Sequence, residues 1–139
     1  RFDVFQLLDA ALMGKASRCL KITDSMRIEG TEVLYLSTML AREVRNLIGM
    51  SEAMQSSSVD AAMQQARVWQ KRQPLIAATL KRHGLPALLQ LQSRVNRIDA
   101  IVKGVQAGDP WDELTRAILH LAGVALSLPD ASEPGASLL

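Results

Sequence analysis

Apolar residues in the last third of the chain recur at alternating spacings of three and four, the rhythm of an amphipathic helix. One run consists of Leu88, Leu91, Val95, Ile98, Val102 and Val105, and the next of Trp111, Leu114, Ile118, Leu121, Ala125 and Leu128. Between them, Asp109 can accept hydrogen bonds from free helix amides, and Pro110 suits a first helical turn. The pattern predicts two regular helices that pack antiparallel.

Two glycines divide the beginning of the chain. Gly14 follows apolar positions at helical spacing in residues 3–13, and Gly30 follows a similar stripe in residues 16–29. Glycine often ends a helix because it adopts the left-handed conformation without a steric penalty. We therefore expect a tight hairpin of two helices, in which Gly14 and Gly30 have structural roles.

The middle of the chain predicts further helices of less regular shape. Thr31 can cap a third helix that runs to residue 54. Helix is expected again over residues 59–82, but Pro74 lacks an amide hydrogen and clashes with the preceding turn. This segment is therefore either kinked at Pro74 or divided into two helices, and we favour two helices.

The composition agrees with a helical protein. Hydrophobic residues make up 48% of the 139 residues and aromatic residues only 4%, with Leu, Ala and Met prominent, a balance that suits helix packing better than sheet packing. We expect one all-α domain over residues 1–128, an irregular bundle of about six helices. Residues 129–139 lack core-forming periodicity and are expected to be a disordered tail.

Charge and cysteine content restrict the class of protein further. Sixteen basic and fourteen acidic residues give a net charge of +2, which is mild for a domain that binds nucleic acid. Cys19 is the single cysteine, so no internal disulfide is possible and a reducing, cytoplasmic compartment is expected. No apolar run approaches a membrane span in length, and we expect a soluble chain without a membrane partner.

Catalytic, metal-binding and cofactor-binding arrangements do not assemble in the sequence. The segment that begins at Gly14 resembles the end of a phosphate-binding loop only faintly, because Ala16 stands where a serine or threonine must bind magnesium. His83 and His120 lack a ligand partner at helical spacing, and Cys19 lacks a nearby base. We expect no enzyme activity, no metal and no cofactor.

The densest group of cations and aromatic rings lies near residue 70. It consists of Arg67, Trp69, Lys71 and Arg72, and the following helix adds Arg94 and Arg97. These cations could contact a partner protein or phosphates, and Trp69 could stack on a base. On a helix, however, Arg67 and Lys71 share one face and Trp69 points elsewhere. We therefore favour Trp69 as a core anchor, with the cations in water.

A set of residues spread over nearly the whole chain has the order and spacing of one protein family. In the first third these residues are Phe2, Phe5, Asp9, Ala10, Gly14, Arg18, Cys19, Leu20, Ile22, Met26, Arg27, Glu29, Gly30, Leu40, Arg42, Glu43 and Arg45. Farther along they are Arg67, Val68, Trp69, Gln70, Arg72, Trp111, Glu113 and Leu114. The set resembles the C-terminal domain of bacterial DNA polymerase III clamp-loader delta subunits.

The resemblance implies a function in DNA replication. A domain of this family is a collar domain, which packs with the equivalent domains of the gamma or tau and delta-prime subunits to assemble the clamp loader. The loader places the sliding clamp on primed DNA, and the delta contact with the clamp belongs to an N-terminal domain. The resemblance also implies a structural or interface role for Trp69 and Arg72, no catalytic residue, and at most weak or indirect DNA contact.

Two other functions remain open from the residues themselves. A stand-alone helical module could bind nucleic acid through Arg67, Lys71, Arg72, Arg94 and Arg97. A regulatory protein-interaction bundle is the other. The chain begins at Arg1, without methionine and within a helical pattern, so we expect it to be a fragment of a longer replication subunit that works in the bacterial cytoplasm.

Overall fold

The computed structural model describes residues 1–125, which form seven α-helices, one 3₁₀ turn and no strand. The helices are α1 (Val4–Leu12), α2 (Ala16–Ile28), α3 (Val33–Ala53), α4 (Val59–Gln65), α5 (Gln73–Arg82), α6 (Leu85–Val102) and α7 (Pro110–Leu121), and the 3₁₀ turn is Gln70–Arg72. The expected all-α, irregular bundle is confirmed. The tail at residues 129–139, expected to be disordered, lies outside the described residues.

The prediction that glycines end the first two helices is confirmed. Gly14 and Gly30 have φ angles of 75° and 81°, in the left-handed region. The expected cap at Thr31 is wrong, because its amide instead donates to the carbonyl of Met26, 3.0 Å away, and so completes the last turn of α2. Helix α3 begins after Glu32 without a side-chain cap.

Residues 59–82 form two helices, as favoured, and Pro74 lies in the first turn of α5. The break, however, begins earlier than Pro74. Helix α4 ends at Gln65, Arg67 has a φ angle of 57°, and Trp69 is extended, so residues 66–69 form a non-helical linker. The sequence lacks a glycine or proline in this linker, and a local pattern could not have located it.

Helices α6 and α7 pack antiparallel, as predicted. Arg97, toward the end of α6, lies beside Glu113 in the first turn of α7, and His83, just before α6, contacts the carbonyl of Leu121 at the end of α7. Asp109 accepts hydrogen bonds from the amides of Trp111 and Asp112, as predicted.

Both helices of this pair are shorter than the apolar periodicity predicts. Helix α6 ends at Val102, and Val105 is 81% exposed. Helix α7 ends at Leu121, and Gly123 has a φ angle of 95°, so the expected continuation of α7 is wrong as far as Ala125. Residues 126–128 lie beyond the described part of the chain.

The core lies mainly between α3 and α6. Its largest fully buried side chains are Leu7, Leu12, Ile22, Leu36, Leu40, Leu47, Ile76, Leu88, Leu91, Ile98, Leu114 and Ile118. Cys19 is also buried, and burial raises the pKa of its thiol to about 11, so the thiol stays protonated. Trp111 is partly buried and packs against this core. None of the helices within residues 1–125 has the length and apolarity needed to cross a bilayer.

One side chain of α5 joins the ends of two other helices. The Arg82 guanidinium donates to the carbonyl of Leu12, at the end of α1, and to that of Leu121, at the end of α7, at 3.4 and 3.2 Å. A Cβ atom on Gly123 would lie 2.7 Å from the Arg82 side chain, and one on Gly14 would lie 3.0 Å away. These glycines are therefore required both for their backbone conformation and for the close approach of Arg82.

Candidate protein-interaction surface

Arg72 holds three elements together instead of lying in water. Its Nη2 donates to Glu43 Oε1 on α3 at 2.6 Å and lies 3.5 Å from Asp9 Oδ1 on α1. Burial alone would lower the pKa of Arg72, but the hydrogen bond and charge of Glu43, together with Asp9, raise it. Arg72 is therefore a charged, paired group that ties the 3₁₀ turn to α1 and α3, and the expectation that it is solvated is wrong.

Trp69 lies on the surface, and its expected role as a core anchor is wrong. Its side chain is 65% exposed, and Lys71 Nζ lies 5.3 Å from the centre of its ring. The helical geometry assumed for Arg67 and Lys71 does not apply, because α4 ends at Gln65. Both cations are exposed, as expected, and Lys71 lies beside the ring of Trp69.

Arg94 is also placed differently from the sequence-based expectation. It is 2% exposed, and its Nε and Nη1 atoms have no hydrogen-bond partner in the structure. Burial lowers the pKa of Arg94, an effect that Glu113 opposes and that Arg116 and Arg97 reinforce. Arg97 is only partly exposed, and its Nη2 lies 3.9 Å from Glu113 Oε1. The cations named by the sequence analysis therefore do not form one basic face.

The two histidines come together although they are far apart in sequence. Their ring centres are 5.9 Å apart in an edge-to-face arrangement, and His83 Nε2 lies 2.8 Å from the Leu121 carbonyl oxygen. Burial lowers the pKa of His120, with further contributions from Arg94 and His83. Residues 1–125 contain no group of three or more His, Cys, Asp or Glu side chains that could hold a metal ion.

A shallow cavity of about 370 Å³ lies between α1, α3 and the 3₁₀ turn. It is lined by Phe5, Leu8, Asp9, Met39, Arg42, Glu43, Asn46 and Arg72. A second depression of about 300 Å³ continues along α3 toward α4, and it is lined by Arg45, Asn46, Gly49, Met50, Ala53, Ala62, Gln65 and Ala66. Because Asn46 belongs to both, we treat them as one feature, the α3 groove.

The α3 groove combines apolar and basic character. Phe5 is 60% exposed at one end, although most of the apolar side chains of α1 are buried. Arg42 and Arg45 are exposed and form no ion pair with another residue of the described chain. The two acidic side chains of the groove, Asp9 and Glu43, are both paired with Arg72. The uncompensated charge of the groove lining is therefore positive.

Sequence reasoning did not find this groove. Arg42 and Arg45 are exposed on α3, and nothing in the local sequence pattern places α4 or the 3₁₀ turn beside them. The available signal was Gly49, a glycine in the interior of a helix, where alanine is more favourable by about 1 kcal/mol.

Comparisons with known proteins cover most of the described helices. A family model described as "Processivity clamp loader gamma complex DNA pol III C-term" matches residues 4–130. DNA polymerase III subunit delta of Escherichia coli (strain K12) is 31% identical over 113 residues, which cover 81% of this chain and 33% of that protein.

A second relative comes from Haemophilus influenzae. Its DNA polymerase III subunit delta is 24% identical over 122 residues, which cover 81% of this chain and 36% of that protein. The chain thus spans about a third of the length of the curated relatives that it matches. Because the family model covers nearly all of the described helices, this chain belongs to the family of C-terminal domains of DNA polymerase III delta subunits, in the clamp loader gamma complex.

Proposed function

We propose that this domain is a non-catalytic oligomerisation domain, the collar domain of a delta subunit, and that it helps to assemble the clamp loader used in DNA replication. Its partners are the gamma or tau and delta-prime subunits. The observation that carries the proposal is the family match over residues 4–130. The same match supports residues 1–128 as the extent of this domain within a longer subunit.

The surface of the bundle supports a role in protein contacts. Several large apolar side chains remain exposed although the core is well filled, notably Phe5, Ile28, Tyr35, Trp69 and Val105. When a partner buries side chains of this size, they commonly anchor the interface. Their positions on separate elements suit a domain that touches more than one neighbour.

DNA contact through this domain is weak or indirect in this proposal. Arg72 is paired with carboxylates and Arg94 is buried, so two of the five cations expected to face phosphates are not free to do so. The sliding clamp is contacted by another domain of the subunit, and the assembled loader acts on primed DNA in the bacterial cytoplasm.

Co-assembly with the other subunits tests the proposal. The chain is mixed with purified gamma and delta-prime from the same bacterium and passed over a gel-filtration column. We expect it to elute in the same peak as the two subunits, and we expect the chain alone to show no ATP hydrolysis above a buffer blank. A chain that elutes separately at micromolar concentrations of all partners contradicts the proposal.

A further inference from the structure

We propose that the α3 groove is a docking site for a helical segment of a neighbouring clamp-loader subunit whose contacting face is amphipathic and acidic. The inference rests on the proposed function, because it takes the partner to be a subunit of the same assembly. It goes further by naming the surface and the chemistry of the segment that the surface binds.

The apolar end of the groove supplies a place for an anchoring side chain. Phe5, Leu8 and Met39 line the cavity of about 370 Å³, and the ring of Phe5 stands 60% exposed at its edge. Interfaces typically depend on a few large apolar side chains that enter such a depression and exclude water. A leucine, methionine or phenylalanine of the partner would bury Phe5 here.

The charges of the groove determine which net charge the partner segment should carry. Arg42 and Arg45 lie on the solvent side of α3, one turn apart, and neither has an ion-pair partner among residues 1–125. Arg72 engages both carboxylates in the groove lining. An acidic segment therefore gains charge complementarity along this flank, whereas a basic segment meets repulsion from Arg42 and Arg45.

The walls of the groove determine the shape of the segment. Both walls are helices, whose backbone groups are hydrogen-bonded internally, so the partner cannot add a strand and must bind through its side chains. From Met39 to Ala53 the groove follows α3 for about 21 Å at roughly 1.5 Å per residue, which corresponds to a helix of several turns. A Cβ atom added at Gly49 would meet no neighbouring atom within 4 Å, so a partner side chain can approach the backbone of α3.

Two kinds of variant test the site. Gly49→Leu places a side chain in open space, so the domain keeps its fold while the groove is obstructed. The double variant Arg42→Glu with Arg45→Glu reverses the charge of the flank without disturbing a described ion pair. Binding of the chain to a mixture of purified gamma and delta-prime is measured by titration calorimetry at low and high salt, and circular dichroism checks the fold of every variant.

Matched controls carry the same chemical changes on other surfaces. Gln90→Leu adds an exposed leucine to α6, and Lys15→Glu with Lys21→Glu makes the same change in net charge near α2. We expect each groove variant to weaken binding by tenfold or more while the controls stay within about twofold of the unmodified chain. The effect of the charge reversal should shrink at high salt, because exposed ion pairs are screened.

The possible failures have different meanings. If the unmodified chain does not bind gamma and delta-prime, both the proposed function and the proposed docking site are wrong. If it binds and the groove variants bind equally well, or if the controls weaken binding as much, the docking site alone is wrong. If the groove variants keep subunit binding but lose binding to a primed-template oligonucleotide, the groove faces nucleic acid and the inference is overturned.

Discussion

Two arginines of this domain, Arg72 and Arg94, respond to burial in opposite ways. Arg72 is about one-third exposed and has two carboxylate partners, of which Glu43 is 2.6 Å away. Arg94 is 2% exposed, yet its Nε and Nη1 atoms have no hydrogen-bond partner in the structure. The charge of Arg72 therefore stabilises contacts among three elements, whereas the charge of Arg94 is tolerated in the packing between α6 and α7 at an energetic cost.

The largest effect is expected from the paired arginine. Arg72→Met removes the guanidinium and leaves the carboxylate of Glu43, whose side chain is only 9% exposed, without its hydrogen bond. We expect the free energy of unfolding, measured in urea, to fall by about 2 kcal/mol. The double variant Arg72→Met with Glu43→Gln should recover part of that loss, because the only carboxylate then left without Arg72 is that of Asp9, whose side chain is 42% exposed to solvent. A double variant as unstable as the single one would show that the ion pair is not the stabilising feature.

A smaller change of opposite sign is expected for the buried, unpaired arginine. Arg94→Met keeps the aliphatic stem and removes a desolvated charge, so the free energy of unfolding should rise by up to about 1 kcal/mol. Thermal and urea unfolding of the variant measure this directly. A loss of stability beyond about 1 kcal/mol would mean that the guanidinium makes favourable contacts comparable to those of Arg72.

The smallest effect concerns His120, whose pKa is lowered by burial and by the charges of Arg94 and His83. Because the folded protein binds this proton less readily than the unfolded chain, His120 favours folding above its ordinary pKa of 6.5. This contribution should be lost as the pH falls from there through the lowered pKa. A proton NMR titration of His120 in the Arg94→Met variant should show its pKa closer to 6.5. An unchanged titration midpoint of His120 would show that Arg94 does not contribute to the lowering of its pKa.

Local chemistry in the sequence was sufficient for the helix boundaries that depend on a single residue type. Gly14, Gly30 and Asp109 end or begin helices where their conformations and hydrogen bonds predict. The predicted helix cap at Thr31 was wrong because the amide of this residue completes the last turn of the preceding helix. The linker at residues 66–69 was missed because Arg67 adopts a left-handed conformation that its residue type disfavours.

The candidate site was harder to predict than the fold because its parts are distant in sequence. Arg72 finds Glu43 and Asp9 across separations of 29 and 63 residues, which no local periodicity encodes. Arg94 lies three residues after Leu91 and four before Ile98, within the buried face of α6, but only the packed helices show that a charged residue at this position is buried. The same holds for the α3 groove, which exists because α1, α4 and the 3₁₀ turn flank the exposed side of α3.

The position of Arg82 has a consequence for local unfolding. Its guanidinium bonds the final carbonyls of α1 and α7, and Thr79 of the same helix also donates to the carbonyl of Leu12. Helix ends ordinarily fray one by one, with little free energy opposing each opening. Here the last turns of α1 and α7 cannot separate from α5 without breaking shared hydrogen bonds, so their amides should exchange with solvent deuterium as one cooperative unit.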